Sequence, residues 1–224
     1  MNVNACLDLT LLDASATERD IVYLCNKALH NNYYSICINS CYVPLAKQLL
    51  YKTPVKISSV VGFPLGAAST QAKVFEAQKA IDQGADEIEM VMNIGFLKSR
   101  NYIALLKDII DVKLAIQNKI LKVIIEISEL SKNEIIKACQ ICMDANADYI
   151  KTSTGFSSSG ATFTAVKIIK KTVKDHVKIV ASGDIPDYDI AQKYLQLGVD
   201  RIGATSEIKI TKTQIATQTY PKIV

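Results

Sequence analysis

Three short segments share one form: Gly84-Ala85-Asp86, Asn146-Ala147-Asp148 and Gly198-Val199-Asp200. Each follows an amphipathic stretch and precedes a short β-rich run. Gly and Asn accept the left-handed backbone that ends a helix, so each segment reads as a turn from helix into sheet. A chain that repeats this turn is built of βα units, and strands joined through helices lie parallel. β-Rich runs at 5–11, 34–38, 55–61, 87–92, 122–127, 149–152, 177–182 and 201–204 supply eight strands. Between them apolar residues recur at helical spacing, as at Ile21, Leu24, Cys25 and Ala28. Helix starts are marked by Thr17 with Asp20, by Pro44 and by Ser131 with Glu134. Further helices are expected over 69–83, 102–117, 161–173 and 188–197. Eight βα units closing on themselves give an α/β fold, a single (β/α)8 TIM barrel. An open doubly wound sheet is the alternative. No linker or composition break divides the chain, so residues 1–224 are read as one barrel domain.

Composition fits this architecture. Hydrophobic residues make up 49% of the 224 and Trp is absent, so Leu, Ile, Val and Ala fill the core, as parallel strands covered on both faces require. The net charge of +4 is mild, and Lys and Arg form no stripe or tail, which argues against a nucleic-acid partner. The first seven residues lack a basic region followed by an apolar run, and no segment approaches the ~18 apolar residues of a membrane span. The six Cys show no disulfide spacing. These features lead to the expectation of a cytoplasmic protein with reduced thiols.

In a β/α barrel the chemistry sits at the C-terminal ends of the strands. Lys151 ends the sixth strand and is followed by Thr152-Ser153-Thr154-Gly155. A lysine in an apolar barrel mouth loses hydration, which favours its neutral form, and a neutral amine attacks a carbonyl to give a Schiff base. The turn behind it offers hydroxyl and N–H groups to an anion. A surface lysine at a strand end is the plainer alternative. Glu87 and Glu89 share one face of the fourth strand. An inward carboxylate is costly unless used or paired, so Glu89 is a candidate acid/base or hydrogen-bond partner, or else half of an ion pair with a helix residue. Asp8 and Thr10 share a face of the first strand and could frame the same pocket, and Glu126 is a further polar candidate. His30 and His176 fall away from strand C-termini, which leaves a histidine mechanism without support. Cys139 and Cys142 form a Cys-x-x-Cys inside a helix, with no second pair, and read as core rather than a metal site. No glycine fingerprint for a nucleotide cofactor is present, so none is expected.

These residues resemble the deoxyribose-phosphate aldolase family over nearly the whole chain. The resemblance is carried by Asp8-Leu9-Thr10-Leu11-Leu12, by Ser35-Ile36-Cys37-Ile38-Asn39 with Val43-Pro44-Leu45-Ala46, and by Val61-Gly62-Phe63-Pro64-Leu65-Gly66. Gly84-Ala85-Asp86-Glu87-Ile88, Lys122-Val123-Ile124-Ile125-Glu126, Ala181-Ser182-Gly183 and Arg201-Ile202-Gly203 extend it. Lys151-Thr152-Ser153-Thr154-Gly155-Phe156 is its most specific part. The resemblance implies a β/α barrel and a metal-free lyase, a class I aldolase. It implies reversible cleavage of 2-deoxyribose 5-phosphate to acetaldehyde and glyceraldehyde 3-phosphate. Lys151 falls on the family's Schiff-base lysine, Cys37 on a pocket cysteine, and Gly155, Gly183, Gly203, Thr205 and Ser206 in or beside its phosphate loops. The implied partner is a small phosphorylated sugar or aldehyde, with no nucleic acid and no membrane, and a homodimer is compatible.

Four positions depart from the family pattern. Glu89 stands for Asp, and the extra methylene displaces the carboxylate by on the order of 1 Å, a shift that can cost ~100-fold in rate. Val180 stands for a second lysine in the seventh strand, whose charge would favour a neutral Schiff-base amine. Lys178 lies on the same face, about 6–7 Å deeper. Asp184 stands for glycine, and Glu207 follows Ser206, so both could set negative charge beside a phosphate. The departures leave two further readings open: a barrel that kept the fold and became a binding or regulatory protein, and an aldolase for an unphosphorylated substrate. Tyr220 in the 211–224 tail corresponds loosely to a terminal Tyr of the family.

Overall fold

The computed structural model describes residues 2–205. Its strands are β1 (Leu7–Leu11), β2 (Ser35–Ile38), β3 (Lys56–Val61), β4 (Glu87–Val91), β5 (Ile120–Ile124), β6 (Tyr149–Lys151), β7 (Lys178–Ser182) and β8 (Arg201–Thr205). All neighbouring pairs are parallel, and β8 returns to β1 with Asp8 opposite Gly203, which closes the barrel in sequence order. The helices are α1 (Glu18–His30), α2 (Val43–Leu49), α3 (Thr70–Asp82), α4 (Ile94–Lys98), α5 (Tyr102–Ala115), α6 (Lys132–Asp144), α7 (Phe163–Val173) and α8 (Tyr188–Gln196). No helix among the described residues is long and apolar enough to cross a membrane.

Local chemistry sets the element ends. Thr17 with Asp20 and Ser131 with Glu134 form reciprocal capping boxes, each satisfying two N–H groups that a helix start leaves open. Gly84, Asn146 and Gly198 have φ of 113°, 55° and 88°, the left-handed turns expected at the repeated junctions. The aspartate of each junction has a role that spacing did not reveal. Asp86, Asp148 and Asp200 each accept, through Oδ2, the backbone N–H of Ile57, Leu121 and Ile179 at 3.0, 2.7 and 2.8 Å. Their own N–H groups donate to the carbonyls of the same three residues. Each aspartate thereby clamps the start of the strand before its own, fixing β3 to β4, β5 to β6 and β7 to β8 in register.

Strand alternation splits the core into two environments. Outward residues such as Leu9, Ile36, Ile57, Ile88, Leu121, Ile150, Ile179 and Ile202 pack in one apolar cluster with Ile21, Leu24, Val112 and Ile169 of the helices. The inward set includes Asp8, Ser35, Ser58, Glu87, Glu89, Lys122, Lys151 and Arg201, all buried. Leu12, Cys37 and Val60 form a small separate apolar patch. The barrel interior is thus largely ionic and the apolar core lies between sheet and helices.

Two expectations need correction. The fifth strand ends at Ile124 rather than at residue 127, because Glu126 adopts φ 52° and turns the chain out of the strand. The N–H groups of Ile125 and Ile127 still reach the carbonyls of Lys151 and Thr152. The short α4, capped by the Asn93 side chain, was not foreseen, since five residues carry too little periodicity to register.

Candidate active site

Lys151 is the last residue of β6 and is 3% exposed at the C-terminal mouth of the barrel. Its Nζ lies 2.5 Å from Oε2 of Glu89, which projects inward from β4 and is fully buried. Glu89 Oε1 accepts from Lys122 Nζ at 2.8 Å and from the Ser58 hydroxyl at 3.1 Å. Lys122, inward from β5, also pairs with Asp8 at 3.0 Å and Glu87 at 2.8 Å. Arg201, inward from β8, pairs with Asp8 at 2.5 Å and Glu87 at 2.9 Å and lies 4.0 Å from the Tyr34 ring. Three buried carboxylates therefore face three buried cations. Glu87 and Glu89 do form ion pairs, but with the strand residues Lys122 on neighbouring β5, Lys151 on β6 and Arg201 on β8 rather than with a helix.

The charges fix one another. Burial would raise the pKa of Glu89, but Lys122 and Lys151 outweigh it and hold the carboxyl far below the usual carboxylate range. Asp8 is likewise lowered, with Lys122 and Arg201 overcoming burial. For Lys151, burial alone lowers the pKa as expected. The adjacent Glu89 carboxylate wins, and the amine is held above its ordinary value. The expectation that desolvation would leave Lys151 neutral is therefore corrected: the resting group is an ammonium in contact with a carboxylate.

The turn after Lys151 is tied down on both sides. Glu126 accepts from the Thr154 N–H at 3.3 Å and from its hydroxyl, and Thr154 Oγ1 accepts from Phe156 N at 3.0 Å. Burial raises the Glu126 pKa, and the Thr154 hydrogen bonds only partly oppose it. The Ser182 hydroxyl donates to the Ser153 carbonyl at 2.7 Å, lacing this turn to the end of β7. A cleft of about 80 Å³ opens above Lys151, with Thr10, Gly155, Gly183, Asp184, Gly203 and Thr205 on its walls. Gly203 must lack a side chain, because a Cβ there would lie 2.8 Å from Ser182 Cβ and 3.4 Å from Lys151 Nζ. Asp184, at φ 53°, accepts from Gly160 N–H at 2.5 Å through Oδ2. A larger cavity of about 610 Å³, lined by Asp144, His176 and Lys178, lies at the opposite end and contains none of these groups.

The sequence-derived candidates thus fall into two levels. Thr10, Lys151, Gly155, Gly183, Gly203 and Thr205 surround the cleft. Asp8 and Cys37 lie fully buried in the barrel interior. Burial pushes the Cys37 thiol far up, so it is held neutral. Ser206, Glu207, Tyr220 and the 211–224 tail lie outside the described residues. Lys178 is exposed, with its ammonium 5.5 Å from the Tyr149 ring centre, and the residue opposite Lys151 in β7 is the buried Val180. Lys122 and Arg201 were not singled out from sequence, although a charged residue inside an apolar strand such as Ile120–Ile124 was the available signal. Cys139 and Cys142 are buried in α6 with free thiols.

An amine at the barrel mouth, held against one carboxylate and ringed by small and hydroxylated residues, is equipped for carbonyl chemistry. An iminium formed on Lys151 carries the same charge as the ammonium it replaces, so Glu89 would already be placed for it. A relative from Finegoldia magna named deoxyribose-phosphate aldolase is 48% identical, covering 95% of this chain and 100% of the relative. Another of that name, from Caldicellulosiruptor saccharolyticus, is 47% identical over 91% of this chain and 94% of its own. A structure of a tetrameric deoxyribose phosphate aldolase from Aeropyrum pernix superposes with a TM-score of 0.86 at 30% identity, covering 93% of this chain and 88% of that one. The family model described as DeoC/LacD family aldolase matches residues 5–205, which takes in every strand of the barrel. With a buried lysine at the barrel mouth and full-length relatives of one kind, the chain belongs to the DeoC/LacD family of aldolases.

Proposed function

We propose that the protein cleaves 2-deoxyribose 5-phosphate reversibly to acetaldehyde and glyceraldehyde 3-phosphate through a Schiff base on Lys151. The observation that carries this reading is the buried Lys151–Glu89 contact beneath a cleft walled by Gly155, Gly183, Gly203 and Thr205, in a chain whose relatives bear that name. The neutral amine attacks the aldehyde carbon, the oxygen leaves as water, and an iminium remains. The substrate's C3 hydroxyl then loses its proton, the C2–C3 bond breaks, and its electrons form an enamine as the nitrogen loses its positive charge. The phosphorylated aldehyde departs. Protonation of the enamine carbon and addition of water release acetaldehyde and the amine. Glu89 favours the cationic stages, since a carboxylate held so firmly ionised is a better counter-ion than proton carrier. A cytoplasmic setting and a homodimer belong to the same reading. Incubation with deoxyribose 5-phosphate should yield the two aldehydes in equal amounts. Folded protein that releases neither would sink the proposal and return the weight to a binding role.

Asp184 bears on the phosphorylated end of that substrate. A dianion seated among the β7 and β8 loops meets its carboxylate, and like charges at short range repel. Asp184→Asn keeps the hydrogen bond from Gly160 and tolerates the positive φ. It is expected to lower KM for deoxyribose 5-phosphate by on the order of tenfold while leaving unphosphorylated deoxyribose unaffected. Equal KM values for the phosphate in both proteins would show that the carboxylate does not face it.

A further inference from the structure

Lys122 is the buried charge whose placement the reaction scheme leaves unused. Among the described residues it is the one other ammonium joined to the reactive centre: Glu89 bridges the two lysines, with Oε1 at 2.8 Å from Lys122 and Oε2 at 2.5 Å from Lys151. No charge from β7 performs this task, since Val180 is apolar and Lys178 faces the Tyr149 ring. Resting on the aldolase reading, we propose that Lys122 is a positioning residue for the reactive amine: it holds one oxygen of Glu89 and shares its charge, so that Lys151 releases its proton more readily than a lysine with a carboxylate to itself.

The geometry makes the sharing firm. Lys122 is fully buried, and its other contacts, to Asp8, Glu87 and the Ser58 hydroxyl at 3.4 Å, anchor it from β1, β4 and β3. It cannot swing away when substrate enters. Around Lys151, β2 contributes the neutral Cys37, β4 contributes Glu89 and β5 contributes Lys122, while Val180, Ser182 and Gly203 are uncharged and the one β8 charge, Arg201, is engaged by Asp8 of β1 and Glu87. Asp184 stands in the cleft wall above. Burial and the nearby charge of Lys122 both act to lower the Lys151 pKa, against Glu89. Lys122 itself is held far above the ordinary lysine range, with Asp8 and Glu89 outweighing burial, so it stays charged while Lys151 titrates.

The test is the pH dependence of borohydride trapping with acetaldehyde, read by mass spectrometry on the wild type, Lys122→Met and Lys122→Arg. In Lys122→Met the midpoint of the trapping rate should move to higher pH, and each unit of movement lowers the rate at neutral pH about tenfold. Lys122→Arg keeps the charge and should restore the midpoint. A merely structural Lys122 would lower the melting temperature and leave the midpoint of the folded fraction where it was, which would overturn the proposal. If Lys122→Met does not fold, Lys122→Met/Glu87→Gln removes one charge of each sign and is read in the same way. In the wild type, NMR of labelled lysines should show Lys151 losing its proton before Lys122, and the reverse order also overturns the proposal. A wild type that traps no adduct at any pH would instead count against the aldolase reading itself.

Discussion

Lys151→Ala should abolish the borohydride-trapped adduct and lower deoxyribose 5-phosphate cleavage by roughly four orders of magnitude or more. The expectation follows from the absence of a substitute. Lys122, the nearest ammonium through Glu89, is enclosed by Asp8, Glu87 and Glu89 and has no exposed surface from which to attack. The substitution also leaves three buried carboxylates with two cations, so the folded state should weaken by about 1–3 kcal/mol without collapsing. Circular dichroism and urea unfolding separate that loss from the loss of chemistry. A trapped adduct of undiminished yield in the variant would place the reactive amine elsewhere. In the wild type, the raised Lys151 pKa means that the neutral fraction, and hence the trapping rate, should climb with pH by about tenfold per unit until the folded value is reached.

Arg201→Met is expected to give the largest change in stability, a loss of about 3–5 kcal/mol in urea unfolding at neutral pH. Its guanidinium contacts Asp8 through Nε at 2.8 Å, Glu87 through Nη1 at 2.9 Å and the Ser35 hydroxyl at 3.0 Å. Tyr34 and Tyr149 stack against it. Removing it leaves charge buried without water, which costs more than the pair itself contributes. The pH dependence has a definite sign. Asp8 and Glu89 are held below the ordinary carboxylate range, so their stabilising contribution is complete above about pH 4 and is lost as pH falls through the folded values. In Arg201→Met, Asp8 loses a cation and its pKa rises, so the deficit against wild type should shrink in acid. A deficit that stays constant between neutral and acid pH would show that packing, not charge, is what the arginine provides.

Features that depend on neighbours a few residues apart were legible along the chain. Short β-rich runs and apolar residues recurring at helical spacing located eight strands and most helices, because the first suit a sheet covered on both faces and the second report which face of a helix meets a core. Thr17 with Asp20 and Ser131 with Glu134 close their bonds within one turn, and Gly84, Asn146 and Gly198 take left-handed φ for purely local steric reasons. The strand-end rule of the barrel then brought Lys151 and Glu89 forward together. Tertiary structure decided their charge states and partners. Lys122 meets Asp8 across 114 residues and Arg201 meets Asp8 across 193. Such contacts arise only when β8 closes on β1, and no spacing along the chain encodes them. Burial read from one strand argued for a neutral Lys151, whereas the closed barrel sets Glu89 at its amine and reverses the balance. A titrating group answers to the sum of charges around it in space, and the sequence gives those charges an order without a distance.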